Sequence, residues 1–368
     1  MQDEWLRYSC QLTLPGFGKE SQLKLQQAKV LIIGAGGLGC SAAQYLTASG
    51  IGTICIADFD IISISNLHRQ ILYSPSEVGL LKSEIACKKL HTQNPGITLI
   101  PIIKKIASDN VMQLIKDYDI VVDGTDNFET KYLLNDACVL SGKPLVYAAI
   151  YQYEGQVSVL NVLNADGTRS PNYRDLFPNV NASQIPGCAE GGVIPTIAGI
   201  IGCVQANEVI KWITGIADLL AGKIFMIDTR SLQSRIIKIG KVTKNNITEL
   251  PETEIVNVIS VSSLKESLYK NLYEMIDVRS EEEREAFNIG GKHIPLSEIE
   301  KMLPLIDMNK PIIFYCETGR RSEQAMKSAK EIFKQHIFYS LEGGLKAWKE
   351  NNYQYSTSMI SNPHLQAE

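Results

Sequence analysis

The sequence lacks the features of an exported, membrane-spanning or nucleic-acid-binding protein. Its 368 residues include 36 Lys or Arg and 40 Asp or Glu, giving a net charge of −4 and no broad basic surface for nucleic acid. The first residues, MQDEW, form neither the basic nor the apolar part of a signal peptide. The most apolar stretch, residues 193–204, is interrupted by Pro195 and is too short to span a bilayer. We therefore expect a cytoplasmic protein with no nucleic-acid or membrane partner.

Closely spaced cysteine pairs are also missing. The chain has eight cysteines, and no two of them show the C-x-x-C spacing of redox or metal motifs. Without an export signal a disulfide framework is not expected, so most of these residues are interpreted as small buried apolar groups. Only Cys188 and Cys316 stand in unusual sequence settings.

Short apolar segments alternate with helix-like segments through the first half of the chain. This pattern predicts a mostly parallel sheet covered on both faces by helices. The predicted strands are Val30 to Ile33, Thr53 to Ala57, Ile97 to Ile103, Ile120 to Asp123 and Leu145 to Ile150.

The pattern changes after Gly155. Residues 156–163 are predicted to form a longer strand, and the polar residues 164–190 a long loop. A helix over residues 196–214 and two strands near 224–227 and 235–239 complete the first part.

A second α/β unit follows a polar segment without periodicity. The predicted boundaries are 1–242 for the first domain, 243–254 for a linker, 255–353 for the smaller α/β domain and 354–368 for a flexible tail. The apolar runs 275–278 and 312–315 are the main strands of the second unit, and its helices are expected near 280–287, 322–333 and 344–350.

A glycine-rich turn joins the first predicted strand to the first long helix. Glycines allow a tight turn, and the following helix N-terminus offers N–H groups and a positive dipole end to phosphate. Asp58 ends the next strand, where it can hold a ribose hydroxyl. Alone, this fingerprint favours an enzyme that uses NAD or FAD. The glycines are Gly34, Gly36, Gly37 and Gly39.

Charged and amide residues further along the chain change this interpretation. Arg69 and Lys82 can neutralise a triphosphate, and Asp126 can hold Mg²⁺. A site for hydride transfer needs no such set. The ends of parallel strands form the crevice in which such folds bind ligands. Asp60, Asn66 and Gln70 lie in the same segments and are candidate nucleotide ligands.

These motifs together resemble the MoeB/ThiF branch of the ubiquitin-activating-enzyme superfamily. The resemblance covers residues 6–240 and rests on GAGGLG, DFD, NLHRQ, Lys82 and TDN. It implies a Rossmann-like homodimeric adenylyltransferase that binds ATP and magnesium. The expected partner is a small ubiquitin-like sulfur carrier, whose C-terminal glycine of a Gly-Gly end attacks the α-phosphate and releases pyrophosphate. Asp58 would hold the ribose, Asn66, Arg69 and Lys82 the phosphates, and Asp126 the metal.

The sequence departs from this family at two places. An Arg that reaches the partner subunit's phosphates is replaced by Cys10, and Arg7 is the nearest substitute. Many members also carry two C-x-x-C pairs for zinc. Asn172 and Asp175 stand at the first pair and no cysteine follows Ile239, so we expect no structural zinc.

Cys188 lies in the segment GCAEGGV at the end of the predicted long loop. It resembles a loop cysteine that in some members bonds covalently to the activated carrier. A structural cysteine at the start of the next helix is an equally good interpretation.

The second unit resembles a rhodanese domain through Cys316 and the C-x-x-G-x-R-S loop that it opens. A cysteine at a helix N-terminus beside arginines favours the thiolate, and loop N–H groups form a cradle for an anion. The cradle suits a persulfide on Cys316, loaded by a donor such as a cysteine desulfurase. The other loop residues are Gly319, Arg320, Arg321 and Ser322.

Two further functions remain open at this stage. One is an NAD-dependent oxidoreductase, which Arg69, Lys82 and Asp126 disfavour. The other is a non-catalytic or weakly active scaffold that docks a carrier, for which Cys10 is the only support. The carrier itself, from the molybdopterin, thiamine or another pathway, is not specified by the sequence.

Overall fold

The structure is a computed structural model that describes residues 5–178, 191–240, 247–250, 257–268, 272–306 and 308–350. The chain divides into two compact units, Met1–Thr253 and Glu254–Glu368. Within the described ranges no helix is both long and apolar enough to cross a membrane.

An eight-stranded sheet forms the centre of the first unit, in the order β3-β2-β1-β4-β5-β6-β7-β8. The first five strands run parallel to one another. β1 lies between β2 and β4, so the turns that follow these three parallel strands lie side by side at the carboxyl ends of the strands. The strands are β1 Lys29–Ile33, β2 Thr53–Ala57, β3 Thr98–Ile102, β4 Ile120–Asp123 and β5 Leu145–Tyr151.

Three antiparallel strands extend this sheet beyond β5. They are β6 Glu154–Leu160, β7 Lys223–Asp228 and β8 Gln233–Lys238. The sequence predicted the first of them at 156–163. The strand ends earlier because Asn161 has a positive φ of 58° and turns the chain.

Helices cover both faces of the sheet. Alternate residues of a strand point to opposite faces, and accordingly Val30 and Ile32 belong to one buried apolar cluster while Leu31 and Ile33 belong to another. The helices are α1 Ser9–Leu12, α2 Gly18–Gln27, α3 Gly37–Ser49, α4 Lys82–Gln93, α5 Val111–Ile115, α6 Phe128–Leu140, α7 Tyr173–Leu176 and α8 Pro195–Thr214.

The second unit is a smaller α/β domain around a parallel five-stranded sheet, in the order β11-β10-β12-β13-β9. Ile312 and Phe314 of β12 pack on one face, and Ile313 and Tyr315 pack on the other. Residues 344–350 are also helical. The elements are β9 Val258–Ile259, α9 Val261–Leu268, β10 Glu274–Asp277, α10 Glu281–Ala286, β11 Lys292–His293, α11 Ile299–Met302, β12 Ile312–Tyr315, α12 Arg320–Ile332 and β13 Phe338–Leu341.

The segment predicted as a linker, residues 243–254, is only partly described. Within it Leu250 is partly buried and packs against the apolar cluster that contains Leu31 and Ile33. This part of the chain is therefore attached to the first unit rather than fully solvated. The predicted tail, residues 354–368, lies outside the described residues.

Candidate active sites

The glycine-rich turn connects β1 to α3 by a close approach of backbone to backbone. Gly34 has a φ of +92°, which glycine adopts at little cost. A Cβ atom on Gly39 would lie 1.8 Å from the carbonyl oxygen of Gly34. Gly36 caps α3 without any side-chain hydrogen bond, so the first N–H groups of this helix have no side-chain partner at the cap. The turn is therefore shaped to bring backbone N–H groups against a ligand.

Asp58 stands at the end of β2 and is tied to this turn. Its carboxylate accepts hydrogen bonds from the backbone N–H of Ala35 at 2.7 Å and of Asp60 at 2.8 Å. Only 9% of the residue is exposed. Burial raises the pKa of Asp58 above its ordinary value, against the opposing effect of Lys82. The carboxylate is thus rigidly placed beside the glycine turn.

Lys82 is the first residue of α4 and is 5% exposed. Its Nζ atom lies 2.9 Å from Oδ2 of Asp60. A helix N-terminus carries partial positive charge, so a buried lysine there is unfavourable unless an anion lies close. Tyr73, which the sequence analysis did not identify, places its hydroxyl 3.0 Å from the carbonyl oxygen of Ala35 and 3.2 Å from that of Lys82. This hydroxyl links the lysine to the glycine turn.

Asn66, Arg69 and Gln70 lie on the other side of the turn. The backbone oxygen of Arg69 would lie 3.3 Å from a Cβ on Gly37. Gln70 is 4% exposed and donates a long hydrogen bond of 3.4 Å to Oδ1 of Asn66, while its own Oε1 atom is buried without a partner. A buried amide oxygen without a donor favours a ligand with hydroxyl or N–H groups nearby.

Asp126 is exposed in the loop between β4 and α6. Gly124 of this loop contacts Gly34, since a Cβ on Gly124 would lie 2.7 Å from the Gly34 carbonyl oxygen. Asp123 and Lys131 stabilise this loop through hydrogen bonds. Asp123 accepts from the N–H and hydroxyl of Thr125 at 2.9 and 2.6 Å, and from Lys131 Nζ at 2.8 Å.

These contacts place the turn, Asp58, Asp60, Asn66, Arg69, Gln70, Lys82 and the loop of Asp126 at one edge of the sheet. An uncapped helix N-terminus and a buried lysine fit a nucleotide polyphosphate. Within the described ranges no group of three His, Cys, Asp or Glu side chains could hold a metal ion. Asp126 offers a single exposed carboxylate on this side of the turn.

In the described part of the N-terminal segment, Arg7 lies at the opposite end of α4 from Lys82. Arg7 donates from Nη1 to the backbone oxygen of Gln93 at 3.0 Å, at the end of α4. Cys10 lies in α1 and is exposed.

Asn172 and Asp175 stand where the resemblance places the first zinc cysteines. They form a capping box around α7, in which Oδ1 of Asn172 accepts from the Arg174 N–H at 2.9 Å and Asp175 accepts from the Asn172 N–H at 2.8 Å. Arg174 in turn donates two hydrogen bonds to Asp136 at 2.6 and 2.7 Å. Asn172 and Asp175 therefore stabilise the N-terminus of α7 through hydrogen bonds.

Cys188 lies outside the described residues. The chain is described again from Gly191, where a Cβ would lie 2.3 Å from the ring of Tyr151. The next residue, Gly192, accepts a backbone hydrogen bond from Gln152 at 3.1 Å.

The second candidate site is the loop between β12 and α12. Cys316 opens the loop and is 1% exposed. Its Sγ atom accepts a hydrogen bond of 3.2 Å from the N–H of Gly319 and lies 3.6 Å from Oγ of Ser322. Gly319 has a φ of +94°, which brings its N–H toward the sulfur. The loop thus forms an anion cradle around the thiol.

The two arginines of this loop differ in their surroundings. Arg321 forms a bidentate ion pair with Glu283 at 2.6 Å, and this pairing lowers the pKa of Glu283 to about 2. Arg320 is exposed. A third arginine, Arg279, is bound to Asp277 at 2.7 and 2.9 Å. Arg321 and Arg279 therefore have carboxylate partners of their own.

Family models match both units. The ThiF family model matches residues 8–248, and the rhodanese-like domain model matches residues 260–351. A solved structure of MccB from E. coli with succinimide resembles the chain at a TM-score of 0.55 and 25% identity, over 62% of this chain and 68% of that one.

Several curated relatives span nearly the whole chain. The adenylyltransferase and sulfurtransferase MOCS3 of Xenopus laevis is 37% identical, over 94% of this chain and 86% of its own length. The probable adenylyltransferase/sulfurtransferase MoeZ of Mycobacterium tuberculosis is 38% identical, over 94% and 93%. A probable molybdopterin-synthase adenylyltransferase of Porphyra purpurea is 37% identical, over 99% and 95%. The chain therefore belongs to the ThiF family, as an ATP-using adenylyltransferase joined to a rhodanese-like sulfurtransferase domain.

Proposed function

We propose that the chain adenylates the C-terminal glycine of a small ubiquitin-like sulfur carrier and converts it to a thiocarboxylate. The observation that carries this proposal is the presence of two anion-binding turns on one chain. One lies beside Asp58 and Lys82 in the first unit. The other surrounds the buried thiol of Cys316 in the second unit.

The adenylation step requires a carboxylate to approach a polyanion. When bound, magnesium would offset part of the negative charge of ATP, and Asp126 is the proposed protein ligand. Lys82 and Arg69 would hold the phosphates, with Asn66 and Gln70 donating from their amides, while Asp58 would hold the ribose. Because Asp58, Asp60 and Lys82 are already fixed by hydrogen bonds, catalysis here would come from positioning and preorganised charge.

We propose that the enzyme works as a homodimer. Exposed apolar side chains concentrate in residues 59–80, the segment that also supplies the phosphate ligands. Ile64 is 67% exposed and Ile71 is 63% exposed. A second subunit on this surface would bury them and supply a cation that Arg7 and Cys10 do not supply within one chain. The other members of the surface are Phe59, Ile61, Val78 and Leu80.

Sulfur transfer would use the products of both units. A donor such as a cysteine desulfurase would leave a persulfide on Cys316. Its terminal sulfur would attack the glycine carbonyl of the acyl-adenylate, and AMP would leave. The product is an acyl disulfide on Cys316. A thiolate on Cys188 could then attack the Cys316 sulfur, releasing the carrier thiocarboxylate and forming a Cys188–Cys316 disulfide that an external dithiol reduces.

A cytoplasmic location fits this chemistry. Seven of the eight cysteines lie in the described part of the chain, and all seven are free thiols. A reducing compartment keeps them in that state and supplies the dithiol.

The carrier can be identified by mass. The name of the Porphyra purpurea relative favours the small subunit of molybdopterin synthase over a thiamine-pathway carrier. Candidate carriers ending in Gly-Gly would be incubated with enzyme and ATP, and a gain of one AMP on intact carrier would identify the substrate. No gain on any candidate, in the presence of normal pyrophosphate exchange, would exclude those carriers.

Variants separate the two halves of the reaction. Lys82→Ala and Asp126→Ala should each greatly reduce ATP–pyrophosphate exchange, whereas Lys88→Ala, an exposed lysine on the same helix, should not. Cys316→Ala should leave adenylation intact and abolish thiocarboxylate formation from thiosulfate or a persulfide, with Cys203→Ala as control. Cys188→Ala should affect only the transfer half. Exchange that neither Lys82→Ala nor Asp126→Ala reduces would refute the assigned site.

The two other functions considered for the sequence are not favoured. The named relatives are adenylyltransferases and sulfurtransferases over most of their length, rather than oxidoreductases. A docking scaffold would need neither the buried lysine at the glycine turn nor the cradled thiol.

A further inference from the structure

Two serine hydroxyls lie behind the thiol of Cys316 and are shielded from water. Ser322, in α12, is 0% exposed, and Ser340, in β13, is 1% exposed. Ser322 belongs to the loop motif, but Ser340 lies 24 positions after Cys316, on a strand, and the sequence pattern gave it no role. A buried hydroxyl needs hydrogen-bond partners, so the partners of Ser340 can be counted.

The distances define a short chain of polar atoms. Oγ of Ser340 lies 2.8 Å from Oγ of Ser322, which lies 2.8 Å from the carbonyl oxygen of Gly319 and 3.6 Å from Sγ of Cys316. The Ser340 hydroxyl is also 3.5 Å from the Gly319 oxygen. That oxygen already accepts the N–H of Glu323 at 2.9 Å.

Proton counting fixes the direction of these bonds. Each serine has one proton and can accept two hydrogen bonds. Ser322 donates its one proton to the Gly319 oxygen at 2.8 Å, so Ser340 is the donor in its 2.8 Å contact with Ser322. The Ser322 proton has a second acceptor within reach, the sulfur at 3.6 Å. When the sulfur is an anion, donation to it is stronger than donation to a carbonyl that the helix already occupies.

We infer that Ser340 is a positioning residue for sulfur transfer, which acts by donating to Ser322 and so directs the Ser322 proton to the sulfur of Cys316. The sulfur acts as an anion when it attacks the sulfur donor, and it is released as an anion again when the external dithiol reduces the Cys188–Cys316 disulfide. A chain of two hydroxyls is polarised along its length, and each donor strengthens the next. No bond is made or broken at Ser340 itself.

Several charged side chains around this loop are paired with one another rather than with the sulfur of Cys316. On the surrounding elements Arg279 is paired with Asp277, Arg321 with Glu283, and Glu317 with Lys349 at 3.0 Å. Arg284 also lies 3.7 Å from Asp277. The other charged groups near the loop are Arg320, Glu323, Glu342 and Lys346. Two neutral donors to the sulfur therefore stand out: the N–H of Gly319 and the hydroxyl of Ser322.

The test is the pH dependence of Cys316 alkylation in the full-length protein. Iodoacetamide labelling of the Cys316 peptide, read by mass spectrometry from pH 5 to 10, gives a midpoint for thiolate formation. Ser322→Ala should move this midpoint upward by about 1 pH unit, the effect of one hydrogen bond to a charged group. Ser340→Ala should move it upward by about 0.3 of a pH unit, because polarisation by the second hydroxyl contributes only part of the strength of the hydrogen bond from Ser322. Ser340→Thr, which keeps the hydroxyl, should restore the parent midpoint.

A double variant distinguishes a positioning role from a structural one. In the Ser322→Ala background, Ser340→Ala should cause no further shift, because Ser340 acts through Ser322. Sulfur transfer from Cys316 should slow by about twofold in Ser340→Ala, with adenylation unchanged. Ser262→Ala, at an exposed serine of α9, is the matched control. A Ser340→Ala shift that persists without Ser322, or no shift in a folded Ser340→Ala protein, would overturn the inference.

Discussion

Replacement of Lys131 by methionine tests the support of the loop that carries Asp126. Lys131 is 5% exposed, and its three Nζ protons have three acceptors: Oδ2 of Asp123 at 2.8 Å, the Thr125 oxygen at 2.9 Å and the Ala148 oxygen at 2.8 Å. Asp123 is fully buried. Methionine keeps an unbranched side chain, one atom shorter, but leaves the carboxylate and two carbonyl groups without their donor.

The expected cost follows from the burial of this pair. Removing one partner of a buried ion pair costs about 3–5 kcal/mol, because the other charge stays buried without compensation. For a unit of this size, each kcal/mol lowers the melting temperature by about 2–4 °C, so a loss of roughly 6–20 °C is expected. Removing both charges, with Lys131→Met and Asp123→Asn, should recover much of this loss.

Calorimetry of the full chain would measure the change. Lys104→Met, at an exposed lysine, is the control and should shift the melting temperature by less than about 2 °C. Lys131→Met should also impair pyrophosphate exchange, because the loop of Asp126 loses the hydrogen bond to its Thr125 carbonyl oxygen. A Lys131→Met protein that melts within 2 °C of the parent would refute the view that this pair holds the loop.

Three further predictions concern other parts of the chain. Gly39→Ala should abolish nucleotide-dependent activity, because its Cβ would lie 1.8 Å from the Gly34 oxygen; Gly199→Ala, with nothing within 4 Å, should be tolerated in both activity and melting temperature. The pKa of Glu283, lowered to about 2 from 4.5 by Arg321, implies stability that is present above pH 4.5 and lost as pH falls toward 2. Acid titration of Glu283→Gln should lack this loss, which we expect to be about 1 kcal/mol after solvent screening, since the pair is partly exposed. Elemental analysis should find no stoichiometric zinc, and a chelator should leave the melting temperature unchanged; about one zinc per chain would contradict this.

The strands that carry the site could be predicted from the sequence because they are short and apolar and end next to a glycine or an aspartate. Asp58 and Asp123 each end a buried strand, and the periodicity locates such ends to within a residue or two. The three strands after Gly155 were predicted with shifted ends, because hydrophobic pattern does not show where residues such as Asn161 turn the chain. Their antiparallel direction was not predicted.

The buried polar residues that support the sites could not be found in the same way. Tyr73, Lys131 and Ser340 each occur in segments where a polar residue is ordinarily interpreted as exposed. Their roles depend on atoms far away in sequence, such as the Ala35 oxygen for Tyr73. Lys131 lies three and seven positions before Leu134 and Cys138 of α6, and this helical spacing to apolar residues was a signal that could have identified it.

Adjacent charged residues in one motif can also have different roles. Arg320 and Arg321 are adjacent, yet Arg321 is bound to Glu283, 38 residues away. Its charge therefore links α12 to α10 rather than facing the sulfur without compensation. A similar division holds in the first unit, where Asp60 pairs with Lys82. A phosphate bound at Lys82 must compete with this carboxylate, which is the more exposed partner and can turn toward water. In both units backbone N–H groups of a glycine turn lie beside these ion pairs and add donors for an anion.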